Sequence, residues 1–344
     1  MESTRTRHTR LLFCTTGILL RMLQDGGSAL ASVSHIIVDE AHERDVLTDF
    51  LLIILRDLVR ARPSLRVLIM SATMDAQRFA DYFGTDAVFQ VPGRTFPVTD
   101  LYLEDALELT GHVIPDGHPC ALAQGGGGGG GGRQRMSISG KRGTAATVVA
   151  SWDDLGETTS ELYDECLYAG YKDTTKRSLR RVDEARINVD LVLDLLALIG
   201  SGRFDDGAGV GGGEGGAVLV FLPGLGEISH IFDALMASAE FSDARRWLVV
   251  AAHSALSAAD QRRIFVRPPA GVRKVVLATN IAETSITIDD VSIVIDTGRV
   301  KETRYVHQHK MRALVECWVD QAAARQRAGG SPCVSMYVWV AVGG

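Results

Sequence analysis

The stretch His35-Ile36-Ile37-Val38-Asp39-Glu40-Ala41-His42 decides the fold. Its first half ends in three β-branched residues and reads as a buried strand of a parallel sheet. Two carboxylates then stand at the carboxyl end of that strand, which is where open α/β sheets bind ligands. There they can hold Mg²⁺ through an oxygen and position a water against a phosphate. One tetrapeptide is a weak signal, but three more motifs follow it in order. They are Ser71-Ala72-Thr73, Ala278-Thr279-Asn280-Ile281-Ala282-Glu283-Thr284-Ser285 and Gln326-Arg327-Ala328-Gly329.

The surrounding composition suits a soluble globular protein of about two domains, with 344 residues, 46% hydrophobic and 23% charged. A net charge of −6 excludes a uniformly basic coat for nucleic acid and leaves room for a local basic groove. Five cysteines, Cys14, Cys120, Cys166, Cys317 and Cys333, are widely spaced and form no C-x-x-C pair. They read as reduced intracellular thiols rather than a disulfide frame or a zinc site.

The amino terminus imitates a secretory signal. Arg5, Arg7 and Arg10 precede an apolar run, and Ala29-Leu30-Ala31 follows like a cleavage site. Thr15, Thr16 and Gly17 interrupt that run and Arg21 closes it, so an intracellular protein, cytoplasmic or nuclear and not secreted, is expected. No stretch has 18 clean apolar residues, the minimum for a membrane span.

Strands and helices alternate at short intervals, which favours βαβ units. Strands are expected at 11–14, 34–38, 66–70, 217–222, 247–251, 274–278 and 291–295, with 98–103 crossing into the second domain. Helices are expected at 16–23, 45–62, 76–82, 189–199, 225–236, 258–265 and from 321 onward, with a hairpin over 300–311. Two glycine tracts, 125–132 and 207–216, cannot recover their ordering entropy and read as flexible inserts. Residues 110–185 show no period and are expected to be a largely irregular, disordered insertion.

The ordered motifs resemble those of the DEAH-box RNA helicases, ATPases of superfamily 2. The resemblance covers most of 10–106 and 187–328 and includes the connecting stretches Glu43-Arg44-Asp45 and Asp296-Thr297-Gly298-Arg299. It implies an α/β fold of two RecA-like parallel-sheet domains, the first incomplete at its N-terminus and a flexible insertion in the second. Residues 1–97 would be the partial ATP-binding domain. Residues 98–344 would be the helicase C-terminal domain, with the insertion at about 110–185 and a glycine-rich loop at 201–216.

The resemblance also assigns roles. Asp39 and Glu40 would hold Mg²⁺, with Glu40 polarising the attacking water, and His42 would link the nucleotide to the other domain. Ser71 and Thr73 would report on nucleotide state, although either hydroxyl could instead cap the helix that follows. Gln326 completes the catalytic group. Phe265 would stack on adenine or belong to the core, and Thr287 and Asp289 would lie near the ribose and phosphates. Thr15, Gly17, Arg21, Ser254 and Thr279 would grip the backbone of single-stranded RNA without reading its sequence. ATP and Mg²⁺ are the implied cofactors and RNA the implied partner.

Three departures limit the carry-over. The 344 residues contain no G-x-x-x-x-G-K-[ST] loop, and Gly140-Lys141 is followed by Arg142. Gln326-Arg327-Ala328-Gly329 runs on into Gly330-Ser331-Pro332 instead of further arginines. The chain also stops at Gly344, where the family would continue into further domains. The expected protein is therefore a piece of an ATP-dependent RNA helicase, truncated at both ends and inactive as it stands. The alternative is a non-catalytic RNA-binding or scaffolding remnant.

Overall fold

The computed structural model describes residues 6, 8–24, 32–71, 76–91, 98–122, 133–139, 145–151, 168–183, 186–202, 216–253, 262–284, 288–306, 311–329 and 336–339. Both glycine tracts lie outside these, apart from Gly216. The chain divides into two compact units, Met1–Gly93 and Arg94–Gly344.

In the first unit, strands β1 (His35–Val38) and β2 (Arg66–Ile69) pair in parallel, with Ile36 opposite Val67 and Val38 opposite Ile69. Helix α2 (Val46–Ala61) covers one face, placing Leu51 and Leu55 against Ile36, Val38 and Leu65. Asp45 starts α2 by accepting hydrogen bonds from the Leu47 amide at 2.8 Å and the Thr48 hydroxyl at 2.8 Å. Those bonds favour its ionised form and lower its pKa. Helices α1 (Thr16–Gln24) and α3 (Ala76–Phe83) complete the described part.

Two expectations need correction here. Residues 11–14 form no strand and are exposed. Strand β1 is buried on one face only, with Ile37 54% exposed. Its apolar run predicts cover on both faces, but the cluster around Ile36 and Val38, with α2 and the partly buried Leu19, Leu20 and Leu23 of α1, leaves Ile37 outside it.

The second unit is built on six parallel strands in the order β3-β12-β9-β6-β8-β7. These are β3 (Asp100–Leu101), β6 (Ala217–Phe221), β7 (Trp247–Ala252), β8 (Arg273–Ala278), β9 (Val291–Asp296) and β12 (Met336–Trp339). Every residue of β6 is buried, as a strand covered on both faces requires. Val218 and Val220 point to a layer formed by α4 (Leu103–Thr110), α6 (Val189–Gly200) and α7 (Leu225–Ala237). Leu219 and Phe221 point the other way, toward Ile264, Val276 and Ala282.

Strands β10 (Arg299–Val306) and β11 (Met311–Trp318) form the expected hairpin, paired from Arg299↔Trp318 to Val306↔Met311. A second sheet adds β4 (Arg133–Ser139) and β5 (Ala145–Ser151) in the order β10-β11-β4-β5.

The segment 110–185 is therefore not irregular throughout. Besides β4 and β5 it contains helix α5 (Asp173–Leu179), which long-range polar bonds fasten to α4. Glu108 accepts from the Lys172 amide at 3.1 Å and the Thr175 hydroxyl at 2.6 Å, and its other oxygen lies 2.9 Å from the Lys172 ammonium. The Tyr171 hydroxyl donates to Asp105 at 2.7 Å, and the Ile114 amide donates to the Ser178 hydroxyl at 3.0 Å. None of these contacts creates a sequence period, so pattern reading misses them.

The Thr175 and Lys172 bonds pull the Glu108 carboxyl down from 4.5 to about 2. A depressed acid stabilises the fold fully above its unfolded pKa and loses that contribution as pH falls toward its folded one. Glu108→Gln should therefore lower the melting temperature by a constant amount above pH 5. The gap to wild type should narrow between pH 4.5 and 3; a gap unchanged over that range would show that Glu108 does not act as a charge. Thermal melts of both proteins across pH 3–7 decide this.

Candidate nucleotide and RNA sites

The acidic loop begins where β1 ends. The Met70 amide donates to the Val38 carbonyl at 2.8 Å and the Ala41 amide to the Met70 carbonyl at 3.0 Å, so Asp39 and Ser71 follow adjacent strand ends. The loop is tightly wound. Glu40 (φ 52°) and Arg44 (φ 52°) both adopt the left-handed conformation on either side of a single 3₁₀ turn, Ala41–Glu43. A non-glycine residue there costs roughly 1–2 kcal/mol, so other contacts must hold the loop. The Glu40 amide donates to Asp39 at 2.9 Å. Arg44 reaches forward to Asp49 on α2 with two bonds, 2.7 and 3.0 Å, in the bidentate geometry that favours arginine.

Burial raises the Glu40 pKa, and neighbouring Asp39 adds to the rise, while His42 opposes it from 3.4 Å. A carboxylate of raised basicity beside a second, exposed carboxylate suits the polarisation of water next to a metal. The donor set fits Mg²⁺, which takes one or two carboxylates and leaves its remaining positions to water and phosphate oxygens. Among the described residues no group of three or more His, Cys, Asp or Glu side chains could hold a metal alone.

Of the other candidates in this unit, Thr15 is exposed and its carbonyl accepts from the Ile18 amide at 3.0 Å, opening α1. Gly17 and Arg21 sit one helical turn apart on α1, Arg21 exposed. Thr73 lies outside the described residues.

In the second unit the candidates separate to opposite edges of the sheet. Thr279 follows the carboxyl end of β8, its amide bonded to the Ala252 carbonyl at 3.2 Å. Phe265 and Asp289 lie at the amino edge, near the starts of β8 and β9. The neighbouring Ile264 fills the core position and is fully buried, while Phe265 is 52% exposed. Asp289 is exposed, and Ser254 and Thr287 lie outside the described residues.

Gln326 is half-buried on helix α9 (Gln321–Gly329), next to a residue given no role above. The Arg327 side chain is 1% exposed; its Nε donates to Glu283 at 2.9 Å and its Nη1 to Asp296 at 3.0 Å. Its guanidinium also lies 4.8 Å from the centre of the Phe221 ring. Asp296 accepts in addition from the Gly298 amide at 2.8 Å. Arg327 thus joins the ends of β6 and β9 to the short helix α8 (Ile281–Thr284). Burial raises the Glu283 pKa against the pull of Arg327. A sequence signal for Asp296 does exist, since a carboxylate closing a buried run such as Val291–Asp296 needs a partner.

A carboxylate pair at the end of β1 beside Ser71 at the end of β2, followed by a second parallel-sheet unit, fits a superfamily 2 helicase of two RecA-like domains. Family comparison agrees: residues 1–81 match the DEAD/DEAH box helicase model and residues 210–314 the helicase conserved C-terminal domain. The chain belongs to the DExH-box RNA helicases. It is 43% identical over 331 residues to the ATP-dependent RNA helicase dhx29 of Xenopus laevis, covering 96% of this chain and 23% of that protein. It is 41% identical over 348 residues to the chloroplastic DExH-box ATP-dependent RNA helicase DExH4 of Arabidopsis thaliana, covering 98% of this chain and 23% of that one. With DExH1 of the same plant it shares 42% over 332 residues, 96% of this chain and 30% of that protein. The chain spans less than a third of the length of these relatives. No helix among the described residues is long and apolar enough to cross a membrane.

Proposed function

We propose that this chain is the part of an ATP-dependent RNA helicase that grips RNA and presents the Mg²⁺-binding, water-polarising carboxylates. The observation that carries this reading is the placement of Asp39 and Glu40 beside Ser71 at the ends of β1 and β2. In the proposed assignment, 1–97 is the ATP-binding domain and 98–344 the helicase C-terminal domain. Asp39 and Glu40 hold Mg²⁺, Glu40 polarises water, and His42, Ser71, Thr73 and Gln326 complete the catalytic group. Phe265, Thr287 and Asp289 contact adenine, ribose and phosphate; Thr15, Gly17 and Arg21 of the first unit and Ser254 and Thr279 of the second each contact the backbone of single-stranded RNA. Bound Mg²⁺ would supply charge neutralisation at the transferred phosphate.

Binding to a fluorescent oligouridylate tests the RNA half of the reading. Single-strand affinity falls with salt by a log–log slope of about −0.7 per neutralised phosphate. Raising salt from 50 to 200 mM should therefore weaken binding about 7-fold for two such contacts and about 50-fold for four. Thr279→Ala should weaken oligouridylate and oligoadenylate alike, because phosphate contacts carry no sequence information. Salt-independent affinity would refute the proposed phosphate contacts.

A further inference from the structure

Lys274 is the second residue of β8, and its side chain is 0% exposed. A buried ammonium costs several kcal/mol unless oxygens replace its water, and an apolar residue of like volume is often as stable or more so. Here three oxygens satisfy it, one for each N–H. Nζ donates to the Ile264 carbonyl at 2.8 Å, the Val266 carbonyl at 3.2 Å and the Asp290 carboxylate at 2.7 Å.

The identity of those acceptors is what matters. Ile264 and Val266 flank Phe265, and Asp290 adjoins Asp289. One ammonium therefore holds both segments that carry the adenine and ribose candidates. The peptide at Phe265 is otherwise secured by single-turn bonds, Phe265 to Arg262 at 3.2 Å and Val266 to Arg263 at 3.3 Å. With Ile264 turned into the core, the clasp leaves the Phe265 ring exposed at the amino edge of the sheet. Asp290 is anchored a second time, because its carbonyl accepts the Ala217 amide of β6.

The geometry points to Lys274 as a positioning residue for a purine nucleotide. It touches no ligand itself and fixes Phe265 and Asp289 as a pair. This role rests on the nucleotide contacts proposed above for those two residues. An ammonium suits the task because its three donors radiate to acceptors on two separate chain segments.

Hydrogen exchange and ADP binding by the 344-residue chain test it together. In Lys274→Met, the amides of Phe265, Val266 and Val291 should exchange at least tenfold faster, while those of Val276 and Leu277 in mid-strand should not change. ADP affinity, read by equilibrium dialysis with Mg²⁺, should fall about tenfold in Lys274→Met. On a Phe265→Ala background the same substitution should cost clearly less than tenfold, because the part of its effect that passes through that ring is already lost and the part through Asp289 remains. Asp290→Asn keeps both carbonyl bonds and should give a smaller change in the same amides, and it carries the test if Lys274→Met does not fold.

Unchanged exchange at Phe265 and Val266 in both variants overturns the clasp. Faster exchange with unchanged ADP affinity, where Phe265→Ala does weaken ADP, overturns the positioning role alone. ADP affinity insensitive to Phe265→Ala as well overturns the nucleotide site and this role with it. A mere core lysine would lower stability without the non-additivity with Phe265.

Discussion

Purified as the 344-residue polypeptide and supplied with ATP, Mg²⁺ and RNA, the protein should release phosphate no faster than its own Glu40→Gln variant. Phosphoryl transfer depends on positioning and charge stabilisation far more than on covalent chemistry. In the proposed assignment, Asp39 and Glu40 supply the metal and water side of that arrangement. The sequence supplies no G-x-x-x-x-G-K-[ST] loop to cradle the β- and γ-phosphates, and no arginine between Gln326-Arg327-Ala328-Gly329 and the end of the chain. An arginine at the transferred phosphate is worth 10³–10⁵ in rate, or about 4–7 kcal/mol of barrier. Arg327 does not substitute, because two carboxylates and burial hold its guanidinium inside the unit. Feeble nucleotide binding through Phe265 and Asp289 is compatible with this result. Robust RNA-stimulated turnover abolished by Glu40→Gln would show that another segment cradles the phosphates.

The second large effect concerns stability. Arg327→Met should lower the melting temperature on the order of 10 °C for a unit of this size, corresponding to a loss of about 3–5 kcal/mol. Removing the guanidinium strands Asp296, whose side chain is 0% exposed, with the Gly298 amide as a remaining donor. Glu283→Gln should do far less, melting within about 2 °C of wild type at neutral pH. Glutamine keeps an acceptor for Arg327 and removes a charge that burial disfavours, as the raised Glu283 pKa records. Differential scanning of the three proteins separates the cases. Arg327→Met melting with wild type would mean that the buried pairs contribute nothing.

Much of this architecture was legible because single residue runs encode it. The fully buried strands β6 and β8 announce themselves as uninterrupted apolar stretches, and Asp45, Pro63 and Gly84 punctuate the helices beside β1 and β2. What stayed hidden depends on partners far apart in sequence. Glu108 organises a helix that begins more than sixty residues later, and the triad of Glu283, Asp296 and Arg327 gathers three elements around one guanidinium. Lys274 has the same character, an ordinary lysine in sequence whose meaning lies in the carbonyls it meets. The exposure of Ile37 escaped notice for a different reason, since an apolar run states what a strand can bury but not what covers it.

The separation of the RNA and nucleotide candidates on the second unit has a mechanical consequence. Lys274 and Thr279 are five residues apart along one strand, a span of about 16 Å. β8 is hydrogen-bonded on both sides, to β6 and β7, and closely packed above and below. Such a strand acts as a strut, because close packing gives low compressibility and transmits strain. A displacement at the proposed nucleotide edge would therefore be passed along β8 to the proposed RNA edge.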